Sequence, residues 1–168
     1  MTEASSKCTS ALPPSLFWIA VLIAIFIAAV DLATKWTVAM ALLDPPRTIE
    51  ITSFFRLNLG FNRGISFGML SGLGSWGPPL LSITAGVMIA VLLIWLRRVR
   101  HHGEAMAVAA ITGGAASNLI DRLHDGAVTD FLDFSLGTLH WPAFNLADTA
   151  IVLGVVGVLF GSLRQSGS

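Results

Sequence analysis

The sequence contains few charged residues and a single cysteine. Charged side chains make up 12% of its 168 residues, against roughly 25% in ordinary soluble domains. Basic and acidic residues number 10 each, so the formal net charge is zero, and the chain has no long basic run. A nucleic-acid-binding role therefore has no electrostatic basis. Cys8 has no second cysteine with which to form an internal disulfide or a metal site.

Hydrophobic residues make up 54% of the chain and are gathered into long runs. About 20 such residues are needed for a helix to cross the hydrocarbon core of a bilayer. The runs predict an all-α membrane protein, a single integral membrane domain over residues 1–168. Four transmembrane helices are predicted, at about residues 16–36, 79–97, 104–121 and 143–163. The first run has no clear cleavage site of a signal peptide and is followed by further spans, so a retained membrane anchor is predicted.

A different composition follows the first predicted helix. Residues 49–59 are rich in β-branched and aromatic side chains with partial alternation, which favours short strands. Several glycines come next, so about residues 44–77 are predicted to form a small extracytoplasmic β-platform between helices 1 and 2. Glycines allow bending, and two roles stay open for this platform: a gate or cradle over an active site, or a packed surface element.

The orientation in the membrane is predicted from one short basic loop. Residues 97–102 read Arg-Arg-Val-Arg-His-His and form the densest basic cluster. The positive-inside rule places such a loop in the cytoplasm. With four spans, both termini are then cytoplasmic, and the segments 31–77 and 121–142 face the opposite side.

Two carboxylates beside the apolar spans indicate chemistry. Asp148 lies near the start of the last predicted span, where an ionisable residue is by default a functional candidate. Asp130 lies in the preceding loop, and Asp133 is three residues away, so in a strand only one of these two would face Asp148. Two close carboxylates do not both ionise cheaply. One can therefore take a proton from water while the other polarises a carbonyl, as in aspartic proteases. This chemistry needs no metal and no cofactor, and none is predicted.

Other polar residues lie at the ends of the predicted spans. Asp31 and Lys35 are four residues apart, so on a helix they share a face and can pair. Asn118, Asp121 and Arg122 bring an amide, a carboxylate and a guanidinium within about one turn of the third span. A structural role is favoured for the Asp31 pair, and Asp121 is expected to hold the adjacent loop.

Several motifs in this order resemble the lipoprotein signal peptidase family, also called signal peptidase II. The resemblance runs from about Ile27 to Leu159. The segments that carry it are Asp31–Lys35 (Asp-Leu-Ala-Thr-Lys), Phe61–Phe67, Gly113–Arg122, Val128–Phe131 and Pro142–Ala150. Small departures from the family pattern occur at Ile65, Ser117, Thr129 and Thr149, and they leave the polar motif residues intact.

The resemblance implies an aspartic endopeptidase of the bacterial inner membrane with its active site near the outer leaflet. Its substrates would be diacylglyceryl-modified prolipoproteins, cut just before the lipidated cysteine. Asp130 and Asp148 would be the catalytic pair. Residues expected to bind substrate or support the pair are Asn62, Asn118, Arg122, Asn145, Asp121, Asp31 and Lys35. Membrane lipids are the other expected partners, and a monomer is expected.

Two alternatives come from other functional classes. A proton-coupled small membrane transporter could use Asp130 and Asp148 as a relay, although four spans without an inverted repeat argue against it. A non-catalytic assembly protein could use its Asp-Arg pairs only to hold helices together.

Overall fold

The computed structural model describes residues 14–43, 47–63 and 76–166 of the chain. These residues form four helices and four strands. The helices are α1 (Pro14–Leu43), α2 (Gly77–Leu96), α3 (His102–Asp125) and α4 (Leu146–Ser166). The strands are β1 (Ile49–Glu50), β2 (Phe55–Asn62), β3 (Val128–Leu136) and β4 (Leu139–Phe144). The protein is therefore mostly helical, with one small antiparallel sheet.

Three helices in the described part of the chain are long and apolar enough to cross a membrane. They comprise Ser15–Leu42, Gly77–Leu96 and Leu146–Arg164. Their outer faces expose large apolar side chains, such as Trp18 and Phe26 on α1, which is the surface expected of helices in contact with lipid. Helix α3 carries more polar residues, so its crossing of the membrane stays a prediction.

Helix α3 lies at the centre of the bundle, because it packs against α1, α2 and α4. Small residues allow this close packing. A Cβ atom placed on Gly113 would lie 2.5 Å from the carbonyl oxygen of Ala24 on α1. On the adjacent face, a Cβ atom on Gly114 would lie 2.4 Å from the carbonyl oxygen of Ala147 on α4. Gly113 and Gly114 are therefore the positions at which α3 meets two neighbouring helices.

The sheet joins two parts of the chain that are distant in sequence. Its strand order is β1-β2-β3-β4, all antiparallel. Strand β2 pairs with β3 across an irregularity between Leu57 and Gly60. Stacked rings cross the sheet, with the Phe134 ring centroid 4.5 Å from that of Phe55 and 5.7 Å from that of Phe144. This sheet holds β3, and with it Asp130, against the helices.

The prediction that confined the β-structure to the segment between helices 1 and 2 was incomplete. Strands β1 and β2 do lie there, but β3 and β4 come from between α3 and α4. Residues 128–144 were predicted as a loop and the start of the last span. Residues 44–46 and the glycine-rich residues 64–75 lie outside the described residues. The part of the predicted gate or cradle that falls on these residues lies outside them too.

The helix bounds differ from the predicted spans mainly at the ends of α1 and α3 and at the start of α4. Helix α1 continues to Leu43, and α3 continues to Asp125, where Gly126 ends it with a left-handed φ of 70°. Helix α4 begins at Leu146 rather than at about residue 143. The reason is that Pro142 lies in β4, the last strand of the order and so an edge strand, where its missing N–H is tolerated.

Candidate active site

Asp148 is positioned by the first turn of α4. Asn145 immediately precedes this helix, and its Oδ1 accepts a hydrogen bond from the backbone N–H of Asp148 at 2.9 Å. In return, the backbone N–H of Asn145 donates to Asp148 Oδ2 at 3.3 Å. Reciprocal bonds between a cap residue and the third helical residue form a capping box. The sequence Asn-x-x-Asp therefore both starts the helix and orients the Asp148 carboxylate.

Asp130 lies on the sheet and contacts the same residue as Asp148, namely Asn145. It lies on β3 opposite Gly60 and is only 3% exposed. Its carboxylate accepts hydrogen bonds from Asn62 Nδ2 at 3.0 Å and from Asn145 Nδ2 at 2.7 Å. Burial raises the pKa of Asp130 from its ordinary value to about 6; the charge of Asp148 adds to the rise, and the bonds from Asn62 and Asn145 oppose it. A proton is thus held on Asp130 more readily than on an ordinary aspartate.

Asn145 brings the two carboxylates together. Its side-chain amide donates to Asp130 and its backbone N–H donates to Asp148. The residue is completely buried, and its amide also lies 3.4 Å from the carbonyl oxygen of Thr129. One asparagine therefore links the end of β4, the start of α4 and the start of β3.

A buried polar cluster lies next to the first turn of α4, which contains Asp148. Its members are Asp31, Lys35 and Asn118. The pairing predicted from the spacing of Asp31 and Lys35 is present, with Asp31 Oδ2 2.9 Å from Lys35 Nζ. Lys35 also donates to Asn118 Oδ1 at 2.8 Å, while Asn118 Nδ2 donates to Asp148 Oδ1 at 2.8 Å. Asp31 Oδ1 accepts the backbone N–H of Ala147 at 2.8 Å. The first turn of α4 is therefore held from α1 by the carboxylate of Asp31 and from α3 by the amide of Asn118.

Asp121 contacts the start of β3 and Lys35. Asp121 Oδ2 accepts the backbone N–H of Thr129 at 2.6 Å and lies 3.2 Å from Lys35 Nζ. Its support of Arg122 is electrostatic, and Arg122 also interacts in this way with Asp148 and Asp130. The Nε atom of Arg122 is buried without a hydrogen-bond partner among the described residues.

Asp133 has a separate set of partners on the sheet. Arg56 Nε donates to Asp133 Oδ2 at 2.8 Å, and His140 Nε2 lies 3.0 Å from Asp133 Oδ1. These three residues come from adjacent strands β2, β3 and β4. Asp130 and Asp133 therefore have different surroundings, as their spacing of three residues on a strand predicts.

An apolar groove of about 760 Å³ opens beside Asp148. Strand β4 and helix α4 form much of its wall. Its lining residues include Asn62, Trp141, Phe144, Asp148, Val152 and Leu153. Trp141 and Phe144 were not among the predicted site residues. The sequence does carry a signal for them, because one aromatic residue comes directly before Pro142, another comes two residues after it, and both precede the Asn-x-x-Asp sequence.

The fold is that of a protein with apolar helices long enough to cross a membrane, and in its site Asn145 hydrogen-bonds to the carboxylates of both Asp130 and Asp148. The family model described as signal peptidase (SPase) II matches residues 23–164, so the chain belongs to the signal peptidase II family and is an aspartic peptidase. The resemblance predicted from the motifs is thereby confirmed. The transporter alternative has no support from these comparisons.

Individual relatives agree with this assignment. The lipoprotein signal peptidase of Paraburkholderia phytofirmans is 49% identical over 119 residues, which cover 69% of this chain and 68% of that protein. The lipoprotein signal peptidase of Francisella tularensis subsp. novicida is 39% identical over 145 residues, covering 84% and 89%. A solved bacterial membrane enzyme has the same fold, with a TM-score of 0.74 at 24% identity over 89% of this chain and 90% of that one.

Proposed function

We propose that this chain removes signal peptides from diacylglyceryl-modified bacterial prolipoproteins, with Asp130 and Asp148 as the catalytic pair. Family membership makes it a signal peptidase that acts on prolipoproteins. The observation that carries the assignment of the pair is the position of Asn145, which hydrogen-bonds to both carboxylates. Strand β3 and helix α4 thus each contribute one carboxylate that contacts the same asparagine.

The two aspartates take different roles in the proposed reaction. Asp148, ionised, removes a proton from a water molecule whose oxygen attacks the scissile carbonyl carbon. Asp130, protonated, donates its proton to the carbonyl oxygen, which gives a tetrahedral intermediate. On collapse, Asp148 gives its proton to the leaving amine nitrogen while Asp130 takes a proton back from the intermediate. Both carboxyl groups then return to their starting states, and the peptide bond is hydrolysed.

The groove beside Asp148 is proposed to receive the apolar substrate next to the cleavage site. It is lined mainly by apolar side chains, and Val152 and Leu153 on α4 are both exposed. A lipidated peptide can therefore reach the site sideways from the bilayer. Arg122 and Asn62 are proposed to contact the substrate backbone, because the buried Nε of Arg122 has no partner among the described residues.

The proposed topology has four spans, cytoplasmic termini and the active site near the outer leaflet of the inner membrane. Helix α3 has 24 residues and is therefore about 36 Å long, enough for a hydrocarbon core of about 30 Å. The basic segment Arg97–His102 precedes α3, whereas Asn118 and Asp121 lie near its other end. A cytoplasmic basic loop therefore puts the carboxylates and the sheet on the opposite side. The protein is proposed to act as a monomer.

The substrate class is tested with a precursor peptide in vesicles. We expect the purified protein to cut a diacylglyceryl-modified precursor immediately before the modified cysteine, because the groove offers an apolar surface to the lipid. The same peptide without the lipid is expected to be cut at least about tenfold less efficiently, since several buried methylenes are lost. Equal cleavage of both peptides, measured by mass spectrometry, would contradict the lipid requirement.

The pH dependence follows from the proposed role of Asp130. We expect kcat/KM to fall as the pH rises through about 6, because the pKa of Asp130 is raised to about 6 and the acid must carry its proton. Below this pH the proton is present; above it, the protonated fraction falls about tenfold per pH unit. The measurement is a pH profile of kcat/KM, with the folded fraction followed at each pH. A rate that stays constant through this region while the protein is folded would remove Asp130 from the role of acid.

A further inference from the structure

Lys35 is a cation buried inside the helical bundle to which the proposed mechanism gives no role. Its side chain is 3% exposed. Nζ lies 2.9 Å from Asp31 Oδ2, 3.2 Å from Asp121 Oδ2 and 2.8 Å from Asn118 Oδ1. An ammonium group has three N–H donors and no acceptor, so these three oxygen atoms can take all of its donors. Two of them balance charge, whereas the third belongs to a neutral amide.

Asn118 connects Lys35 to Asp148. Its Oδ1 accepts from Lys35 and from Asn145 Nδ2, while its Nδ2 donates to Asp148 Oδ1. The oxygen of an amide only accepts hydrogen bonds and its NH₂ group only donates them. Because Lys35 can only donate, the amide oxygen must face it. The NH₂ group is then directed to Asp148, where it stabilises the ionised carboxylate, which can only accept.

We propose that Lys35 positions the catalytic base: by fixing the amide of Asn118 it selects Asp148 as the aspartate that is ionised when substrate binds. The inference rests on the proposed catalytic pair and adds the group that decides which of the two aspartates is ionised. Lys35 acts through Asn118 and touches neither the substrate nor the reacting atoms.

The other charged groups around the connection from Lys35 through Asn118 to Asp148 act differently. The charged or titratable groups that face this connection are Asp31 and Lys35 on α1, Asp121 and Arg122 on α3, Asp130 on β3 and Asp148 on α4. Arg122 interacts with Asp148 through its charge. Within the described part of the chain, Lys35 is the cation that hydrogen-bonds to Asn118. Removal of Lys35 therefore takes away the shorter of the two hydrogen bonds to the amide oxygen, while the bond from Asn145 Nδ2 at 3.3 Å and the charge of Arg122 remain.

Without Lys35, the amide of Asn118 keeps the longer bond that Asn145 Nδ2 donates to its oxygen, and it can rotate by half a turn once that weaker bond breaks. Its oxygen then faces Asp148, an arrangement that suits a protonated carboxyl because its O–H can donate to the amide oxygen. The rotated amide therefore no longer favours the ionised carboxylate of Asp148 over its protonated form. The acidic limb of the pH profile, which reports the base, therefore moves to higher pH.

The test is the Lys35→Met variant, assayed on the diacylglyceryl-modified precursor peptide in vesicles. We expect the acidic limb of kcat/KM to move up by about one pH unit and kcat at neutral pH to fall by about ten- to a hundredfold. KM is expected to change little, because Lys35 lies behind the base and not in the groove. Since Lys35→Met leaves two buried carboxylates without their cation, the double variant Asp31→Asn/Lys35→Met provides a second measurement with the same expected shift.

Two controls separate positioning from stability. Ser117 Oγ donates to Asp31 Oδ2 at 2.6 Å within the same buried cluster, so Ser117→Gly is expected to lower thermal stability and leave the acidic limb unchanged. In an Asn118→Ala background, Lys35→Met is expected to cause no further shift of that limb, because the amide through which it acts is absent.

Three outcomes would overturn the inference in different ways. An unchanged acidic limb in Lys35→Met and in the double variant, with a loss of folded protein, would make Lys35 purely structural. A shift that persists in the Asn118→Ala background would place its effect outside the amide. Failure of the unmodified protein to cut the precursor, or full activity of Asp148→Asn, would instead refute the proposed function itself.

Discussion

Replacing Asp148 by asparagine is expected to reduce kcat by at least about a thousandfold, because an amide cannot take the proton of the attacking water. The substitution preserves shape, and an asparagine oxygen at this position can still accept a hydrogen bond from Asn118 Nδ2. Helix α4 also keeps the cap bond between the backbone N–H of residue 148 and Asn145 Oδ1. The loss should therefore appear in turnover per folded molecule and not in folded yield.

Asp130→Asn is expected to cause a loss of similar size for the opposite reason. An amide cannot pass a proton to the carbonyl oxygen and recover it in the next step. Both single variants should be nearly inactive, and the double variant should be little worse than either, since the residues act as one unit. The measurement is single-turnover cleavage of the lipidated precursor, with the folded fraction determined by gel filtration and circular dichroism.

Asp125→Asn is the matched control for these substitutions. Asp125 lies at the end of α3, its side chain is 49% exposed, and its partner is His124. Removal of its charge changes the net charge of the protein equally but leaves both carboxylates of the site in place, so activity is expected to be unchanged. Cleavage that survives in Asp130→Asn or Asp148→Asn, or that is lost in Asp125→Asn, would contradict the proposed pair.

Interactions between residues close in sequence were predictable. Asp31 and Lys35 are one helical turn apart, and the helical period alone brings their side chains together. Asn145 and Asp148 have the spacing of a capping box, so the start of α4 was visible to within a few residues. The four apolar runs marked the helices because each run is long compared with a strand.

Contacts between distant segments were not predictable from the same patterns. Strand β3 contains Asp130 and Asp133 within a short apolar stretch. Its sequence alone is compatible with a loop, and it becomes a strand because it pairs with β2. That pairing joins residues about 70 positions apart, and loop closure over such a distance leaves no local signal. The apolar wall formed by Trp141 on β4 depends on the same sheet, so it was missed as well.

The proposed catalytic pair depends on the packing of α3 against α4 as much as on its own residues. Gly114→Ala is expected to reduce kcat per folded molecule by about a hundredfold, the effect of a displacement of about 1 Å at a reacting group. A methyl group on Gly114 would lie 2.4 Å from the carbonyl oxygen of Ala147 and 2.9 Å from Ile151 Cγ1. Backbone oxygen cannot rotate away, so α4 must move, and Asp148 is the next residue after Ala147.

The same substitution elsewhere tests whether displacement of α4 is the cause. Gly86→Ala on α2 adds a methyl group that meets no atom within 4 Å among the described residues outside the backbone of its own helix, so activity and thermal stability should be retained. Gly113→Ala meets the carbonyl oxygen of Ala24 on α1; it should lower stability by about 1–3 kcal/mol but retain more activity per folded molecule than Gly114→Ala. If both α3 variants lose kcat equally per folded molecule, general loosening of the bundle is responsible. A selective loss in Gly114→Ala instead means that close contact between α3 and α4 sets the position of the catalytic base.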